Sequence, residues 1–197
     1  MRTAALLITL SIVSCAPCAA TPADGDALVI SLGVGAGWGE TTDNVLRVYD
    51  DYVLDPRLHD REPGASLELG AGYRLSAEML AGVELLAWSR RADDDRDAAR
   101  LDLITAAAAL TWFPWRDGPF ARLGYGLGTA RLDYLERGSW RNRRDTGAAY
   151  LLALGWELDL GDDWSLSPRI SHTAFATRAL DVWASLTTLT LALTVEP

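Results

Sequence analysis

Seven charged residues of this 197-residue chain, Glu68, Arg74, Glu84, Arg122, Glu157, Asp159 and Arg169, are each flanked on both sides by apolar neighbours. On an extended chain that spacing turns the charge to one face and its neighbours to the other. Four carboxylates and three guanidinium groups on one face could line a polar conduit, or pair with one another as a plug. A second candidate is Pro168-Arg169-Ile170-Ser171-His172-Thr173-Ala174. A serine esterase needs a hydroxyl within reach of an imidazole. The same-face position two beyond His172 is Ala174, and Ser171 turns to the other face unless a bulge intervenes. His172 is therefore read as an interfacial residue on an outer surface. His59, near Asp55 and Asp60, is a lone loop histidine. The run Asp93-Asp94-Asp95-Arg96-Asp97 lacks the central Gly and the later Glu of an EF-hand. Arg137, Arg141, Arg143 and Arg144 form a basic group whose planar forks suit phosphate. No phosphate loop, zinc spacing, nucleotide fingerprint or catalytic triad is present, so no metal or cofactor is expected.

The elements that must position these residues are strands. After the first segment no apolar run reaches the length of a membrane helix, whereas period-two alternation recurs eight times. Leu28, Ile30, Leu32, Val34, Ala36 and Trp38 share the apolar face of the first segment, opposite Ser31, Gly33, Gly35 and Gly37. Further alternating segments cover about 65–74, 77–90, 121–128, 150–159, 164–176 and 183–195. A less regular one spans 100–113, where Leu101, Leu103 and Phe113 share a face. Long polar connections at 40–61, 91–99 and 136–145 alternate with short turns near Ser76, at 114–119 and at 161–163; only the link at 177–180 is brief on the long side.

Composition narrows the class. Apolar residues make up 49% and charged residues 23%, so wholesale disorder is excluded. All eighteen basic residues are Arg, against twenty-seven acidic ones, and a net charge of −9 excludes a nucleic-acid binder. Met1-Arg2-Thr3, an apolar stretch from Ala4 to Val13 and small residues ending at Ala20 read as a signal peptide over 1–20. A short segment at 21–26 then leads to a single domain over 27–197. Both cysteines, Cys15 and Cys18, lie in the leader, so cleavage after Ala20 leaves no thiol; Ile12-Val13-Ser14-Cys15 offers lipidation of Cys15 as the alternative.

A soluble sandwich or carrier barrel also has one apolar and one polar face. Three features favour a membrane barrel: a polar face crowded with Gly and Ser, aromatic residues collected at both strand ends, and the secretory leader. The expected belts are Trp38, Trp88, Tyr134, Tyr150 and Trp183 at the loop end, and Tyr73, Trp112, Phe113, Trp115, Trp156 and Trp164 at the turn end. The expected fold is all-β, an eight-stranded antiparallel up-and-down transmembrane β-barrel, closed because an open edge in lipid leaves backbone groups unpaired.

Together with this pattern, Gly70-Ala71-Gly72-Tyr73, Pro119 to Gly126 and Leu154-Gly155-Trp156-Glu157 resemble the small bacterial outer-membrane barrels, the group including the OmpA transmembrane domain, OmpX and OmpW. The resemblance spans about 27–195 and implies residence in the outer membrane, insertion by the barrel-assembly machinery, and contact with outer-membrane lipid and lipopolysaccharide. The basic group at Arg137, Arg141, Arg143 and Arg144 would then face lipopolysaccharide phosphates at the outer rim. The chain departs from the family in ending Thr194-Val195-Glu196-Pro197 rather than on Phe or Trp. The segment around His172 resembles the lipid A deacylases, also eight-stranded, but Ala174 stands where those enzymes carry Ser. The resulting expectation is a non-enzymatic barrel with a structural, surface-interaction or lipid-binding role, its lumen plugged by ion pairs. A lipid A-modifying enzyme and a soluble periplasmic binder of apolar ligands are the alternatives.

Overall fold

The computed structural model describes residues 27–41, 63–93, 98–116, 118–136, 139–161, 163–176 and 183–197. The leader and most of the first long connection, with His59, lie outside the described residues.

Alternation builds nine strand segments: β1 (Ala27–Thr41), β2 (Gly64–Ser76), β3 (Met79–Asp93), β4 (Ala98–Trp112), β5 (Pro119–Glu136), β6 (Ser139–Trp156), β7 (Leu158–Gly161), β8 (Trp164–Ala176) and β9 (Trp183–Val195). β1 to β6 pair antiparallel in chain order, β7 and β9 each pair with β8, β1 also pairs with β9, and β6 with β8, so the sheet closes on itself. β6 and β7 form one stave, because their pairings to β8 run in a single register, Gly155 opposite Arg169 and Leu158 opposite Leu166. The break falls at Glu157, whose N–H donates to the Gly118 carbonyl at 2.7 Å. The nine segments are thus the eight staves of a closed barrel. No helix among the described residues is long and apolar enough to cross a membrane; the crossings are made by strands.

The apolar face points outward. Ile30, Leu32 and Val34 of β1, Val83 and Leu85 of β3, Leu123, Tyr125 and Leu127 of β5, and Leu189 and Leu191 of β9 are all exposed. This is the inverse of a water-soluble carrier barrel. The turn-end belt contains Tyr73, Trp112, Trp115, Trp156 and Trp164, all exposed. Phe113 does not join it: it is buried inside against Phe120, with ring centroids 5.6 Å apart. At the loop end Trp38 is exposed as expected, but Trp88 is buried at 2% exposure. Tyr150 stands opposite Tyr125 within the apolar band, and the side chains of Tyr134 and Trp183 lie outside the described residues.

Two of the expected loops are largely strand. β3 runs to Asp93 and pairs with Ala98, and β5 and β6 stay in register to Glu136 opposite Ser139. Their polar sequences do not mark the place where pairing ends.

Candidate functional site: the lumen and the outer rim

The lumen is filled in layers, each fixed by alternation. Its middle holds Glu68 of β2, Glu84 of β3, Arg122 of β5 and Arg169 of β8, all buried or nearly so. Glu68 pairs with Arg169, and its other oxygen accepts the hydroxyls of Thr190 at 2.7 Å, Thr188 at 3.3 Å and Ser171 at 3.5 Å. Glu84 pairs with Arg122 and stands 3.7 Å from Arg169. Arg122 also donates to Thr111 Oγ1 at 2.8 Å. Two carboxylates and two guanidinium groups thus balance in charge. That is how ions tolerate a low-dielectric site, since each alone would bear a desolvation cost of several kcal/mol.

Nearer the turn end Arg74 donates from Nε to both carboxylate oxygens of Glu196, at 2.9 and 3.2 Å, with Glu157 at 3.7 Å. Its guanidinium lies 5.0 Å from the centre of the Phe113 ring, and that of Arg122 5.5 Å from Phe120. Glu157 accepts Ser165 Oγ at 2.9 Å. Glu196 was not among the expected lumen charges; its position one residue beyond the last alternating segment hid it. Asp159 corrects the expectation in the other direction. It is exposed within β7, and its carboxylate accepts the Gly161 N–H at 2.7 Å, so it shapes the turn that follows. Between the two charged layers lies a cavity of about 40 Å³, lined by Ser31, Gly70, Glu84, Arg122, Ser167 and Thr194. Such a volume holds a few water molecules, not a ligand.

Above the charged quartet the lumen turns apolar. Leu86 and Trp88 of β3, Leu103 of β4, Ala149 of β6, Phe175 of β8, and Ala184 and Leu186 of β9 pack into one buried cluster. The Trp88 indole N–H donates to the Gly37 carbonyl at 2.9 Å, satisfying the one polar atom of its ring. Gly64 makes this fit possible, because a Cβ there would run into the Trp88 indole. Gly128 does the same for Phe175, whose ring would lie 2.9 Å from a Cβ. This stopper was missed by sequence reasoning, although Trp88 lies four residues beyond Glu84 and so on the same face.

His172 faces outward and is exposed, as expected, and Ser171 faces the lumen. The imidazole nevertheless has a hydroxyl partner: Nδ1 lies 3.0 Å from Thr187 Oγ1 on β9, the residue directly opposite in the register. Among the described residues no carboxylate bonds to His172, and no group of acidic, His or Cys side chains could hold a metal. Of the basic group, Arg144 is exposed on β6; Arg137 and the side chains of Arg141 and Arg143 lie outside the described residues, as does most of the acidic run at 93–97.

Comparison with known proteins agrees with this architecture. Among solved structures, Ail, the attachment invasion locus protein of Yersinia pestis, aligns with a TM-score of 0.61 at 14% identity, over 87% of this chain and 99% of that one. Ail in complex with the heparin analogue sucrose octasulfate aligns with the same score. Neisserial surface protein A aligns at 0.59 and 13% identity, over 86% of this chain and 97% of that one. No curated protein sequence matches. The family profile of the outer membrane protein beta-barrel domain matches residues 5–195, so the chain belongs to that family and resides in the outer membrane.

Proposed function

We propose that this protein is a closed, non-conducting and non-enzymatic barrel that acts through its outer surface, as a structural, surface-binding or lipid-binding element of the outer membrane. The observation that carries the reading is the double filling of the lumen, by the Glu68–Arg169–Glu84–Arg122 quartet and by the apolar stopper around Trp88 and Phe175. Eight strands enclose just enough room for side chains, and here side chains take it. What remains for function is the outside. The likeness to Ail, whose structure holds a sulfated heparin analogue, supports a surface that meets polyanions, lipopolysaccharide among them. Biogenesis would pass through the barrel-assembly machinery. Recording from planar bilayers tests the reading: no conductance steps are expected from the purified barrel, and discrete steps would overturn it.

One observation favours a second reading. The outward His172–Thr187 pair gives a lipid A-modifying enzyme an imidazole and a hydroxyl on the lipid-facing surface. It supplies no orienting carboxylate among the described residues, and a serine-type mechanism relies on one to hold the imidazole.

A further inference from the structure

The outward face of β3–β6 changes character within one rung of the ladder. The last rung of the apolar band joins Ala87, Ile104, Thr129 and Thr146, with Thr129 and Thr146 hydroxyls 3.0 Å apart. The next joins Ser89, Asp102, Arg131 and Arg144, and the one above it Arg91, Arg100, Asp133 and Asn142. Asp102 therefore faces outward. Arg100 pairs with Asp102 at 2.8 Å and Arg131 with Asp133 at 3.0 Å, while Arg91 and Arg144 are exposed and have no acidic partner among the described residues. Four guanidinium groups stand against two carboxylates on a surface continuous with the lipid-facing band.

The height of these rungs identifies what they meet. From Trp112 in the turn-end belt to Ile104, a strand rising ~3.3 Å per residue at a tilt near 40° climbs about 20 Å. The Asp102–Arg131–Arg144 rung stands roughly 5 Å higher, at the edge of an apolar band about 25 Å tall. Short turns are periplasmic in such barrels, which puts these rungs at the outer leaflet. The described outward positions at the same end of β8 and β9, His172, Ala174, Ala176, Ser185 and Thr187, include no Arg, so between these two sides of the barrel the described basic surface lies on β3–β6.

We infer that Arg91, Arg100, Arg131 and Arg144 form a lateral binding site for a phosphorylated glycolipid of the outer leaflet, of the lipid A class. The inference deepens the surface-binding reading above. Guanidinium forks bind phosphate oxygens in pairs, and Arg keeps its charge at a lipid interface. The side chains project sideways from the strands, where a headgroup anchored in the same leaflet reaches them. Arg144 alone of these four belonged to the basic group singled out in the sequence.

The test is lipid retention by the full barrel in nanodiscs containing either bisphosphorylated or fully dephosphorylated lipid A, read by native mass spectrometry. Wild type is expected to retain the bisphosphorylated form at least tenfold better, and R131S/R144S to lose that preference while still showing heat-modifiable gel migration. R91S/R100S provides a second variant with the same expectation. Equal retention of both lipids by wild type, or a preference unchanged in both folded variants, would overturn the inference. So would a preference kept by variants that have lost binding of free sucrose octasulfate, which would identify a soluble polyanion as the occupant. None of these failures touches the closed-lumen reading, which bilayer recording tests separately.

Discussion

Glu84 of β3 and Arg122 of β5 pair inside the lumen, and Arg169 of β8 stands 3.7 Å from the other Glu84 oxygen. One carboxylate thus joins two guanidinium groups from separate staves, and through Arg169 it reaches Glu68 on a third. Replacing Glu84 by Leu strands Arg122 in a buried site. The expected loss is about 3–5 kcal/mol, less wherever the neighbouring cavity admits water. Urea-driven unfolding from bilayers measures it. A double-mutant cycle should find strong coupling between Glu84 and Arg122 and none between Glu84 and Arg74, which is occupied by Glu196 and Glu157. An unchanged midpoint for Glu84→Leu would remove the pair from the account of stability.

The fit between Gly64 and Trp88 gives a second prediction. A methyl group at position 64 collides with the indole, which is held in place by its bond to the Gly37 carbonyl, and comes within 2.7 Å of the Ser89 carbonyl oxygen, a clash that only a backbone shift relieves. Gly64→Ala is expected to cost about 1–3 kcal/mol as an overpacked core does. Trp88→Leu in the same chain should recover part of that loss by giving the methyl group room, although Trp88→Leu alone is destabilising. Additive losses in the double variant would show that the two positions do not compete for space.

How much of this was legible in the sequence depended on contrast between the faces. Glu68, Arg74, Glu84, Arg122, Glu157 and Arg169 stand out because apolar neighbours flank them, and alternation sends them inward. The stopper was not legible because that contrast vanishes there. Leu86 and Trp88 sit among Leu85 and Ala87, so both faces are apolar and polarity carries no sign of which is inside. Parity with Glu84 was the signal available. Asp159 misled because alternation gives a face but not a depth: its stave continues in register past the lumen, and every residue of β7 at that end is exposed. The rim arginines were hidden differently: Arg91, Arg100, Arg131 and Arg144 lie far apart in sequence and become neighbours only through the register.

Topology can be tested on intact cells. The first long connection carries Arg47, Arg57 and Arg61, and trypsin added from outside should cut there first. The Arg-rich stretch at 139–145 is paired residue by residue with β5, and a protease needs an unpaired strand, so cutting there should be much slower. Cleavage confined to the turns near Arg116, with the outer membrane intact, would reverse the assigned orientation.

The last prediction separates the non-enzymatic barrel from the lipid A-modifying one. A hydrolase of the serine type needs a nucleophilic hydroxyl, an imidazole to take its proton and a group that fixes the imidazole tautomer. On this surface Thr187 could supply the first and His172 the second, 3.0 Å apart, but among the described residues nothing bonds to the imidazole as the third. Ser171 cannot enter: it is buried in the lumen, bonded to Thr188 at 2.5 Å, on the far side of the wall from His172. His172→Ala and Thr187→Val are therefore expected to leave the acylation of lipid A unchanged in cells, with at most a small loss of stability from one exposed hydrogen bond. Mass spectrometry of lipid A from cells with the wild-type barrel, with each variant and with none is the measurement. An acyl chain gained or lost with the wild type, and restored by either substitution, would make the His172–Thr187 pair a catalytic dyad and move the protein into the enzyme class.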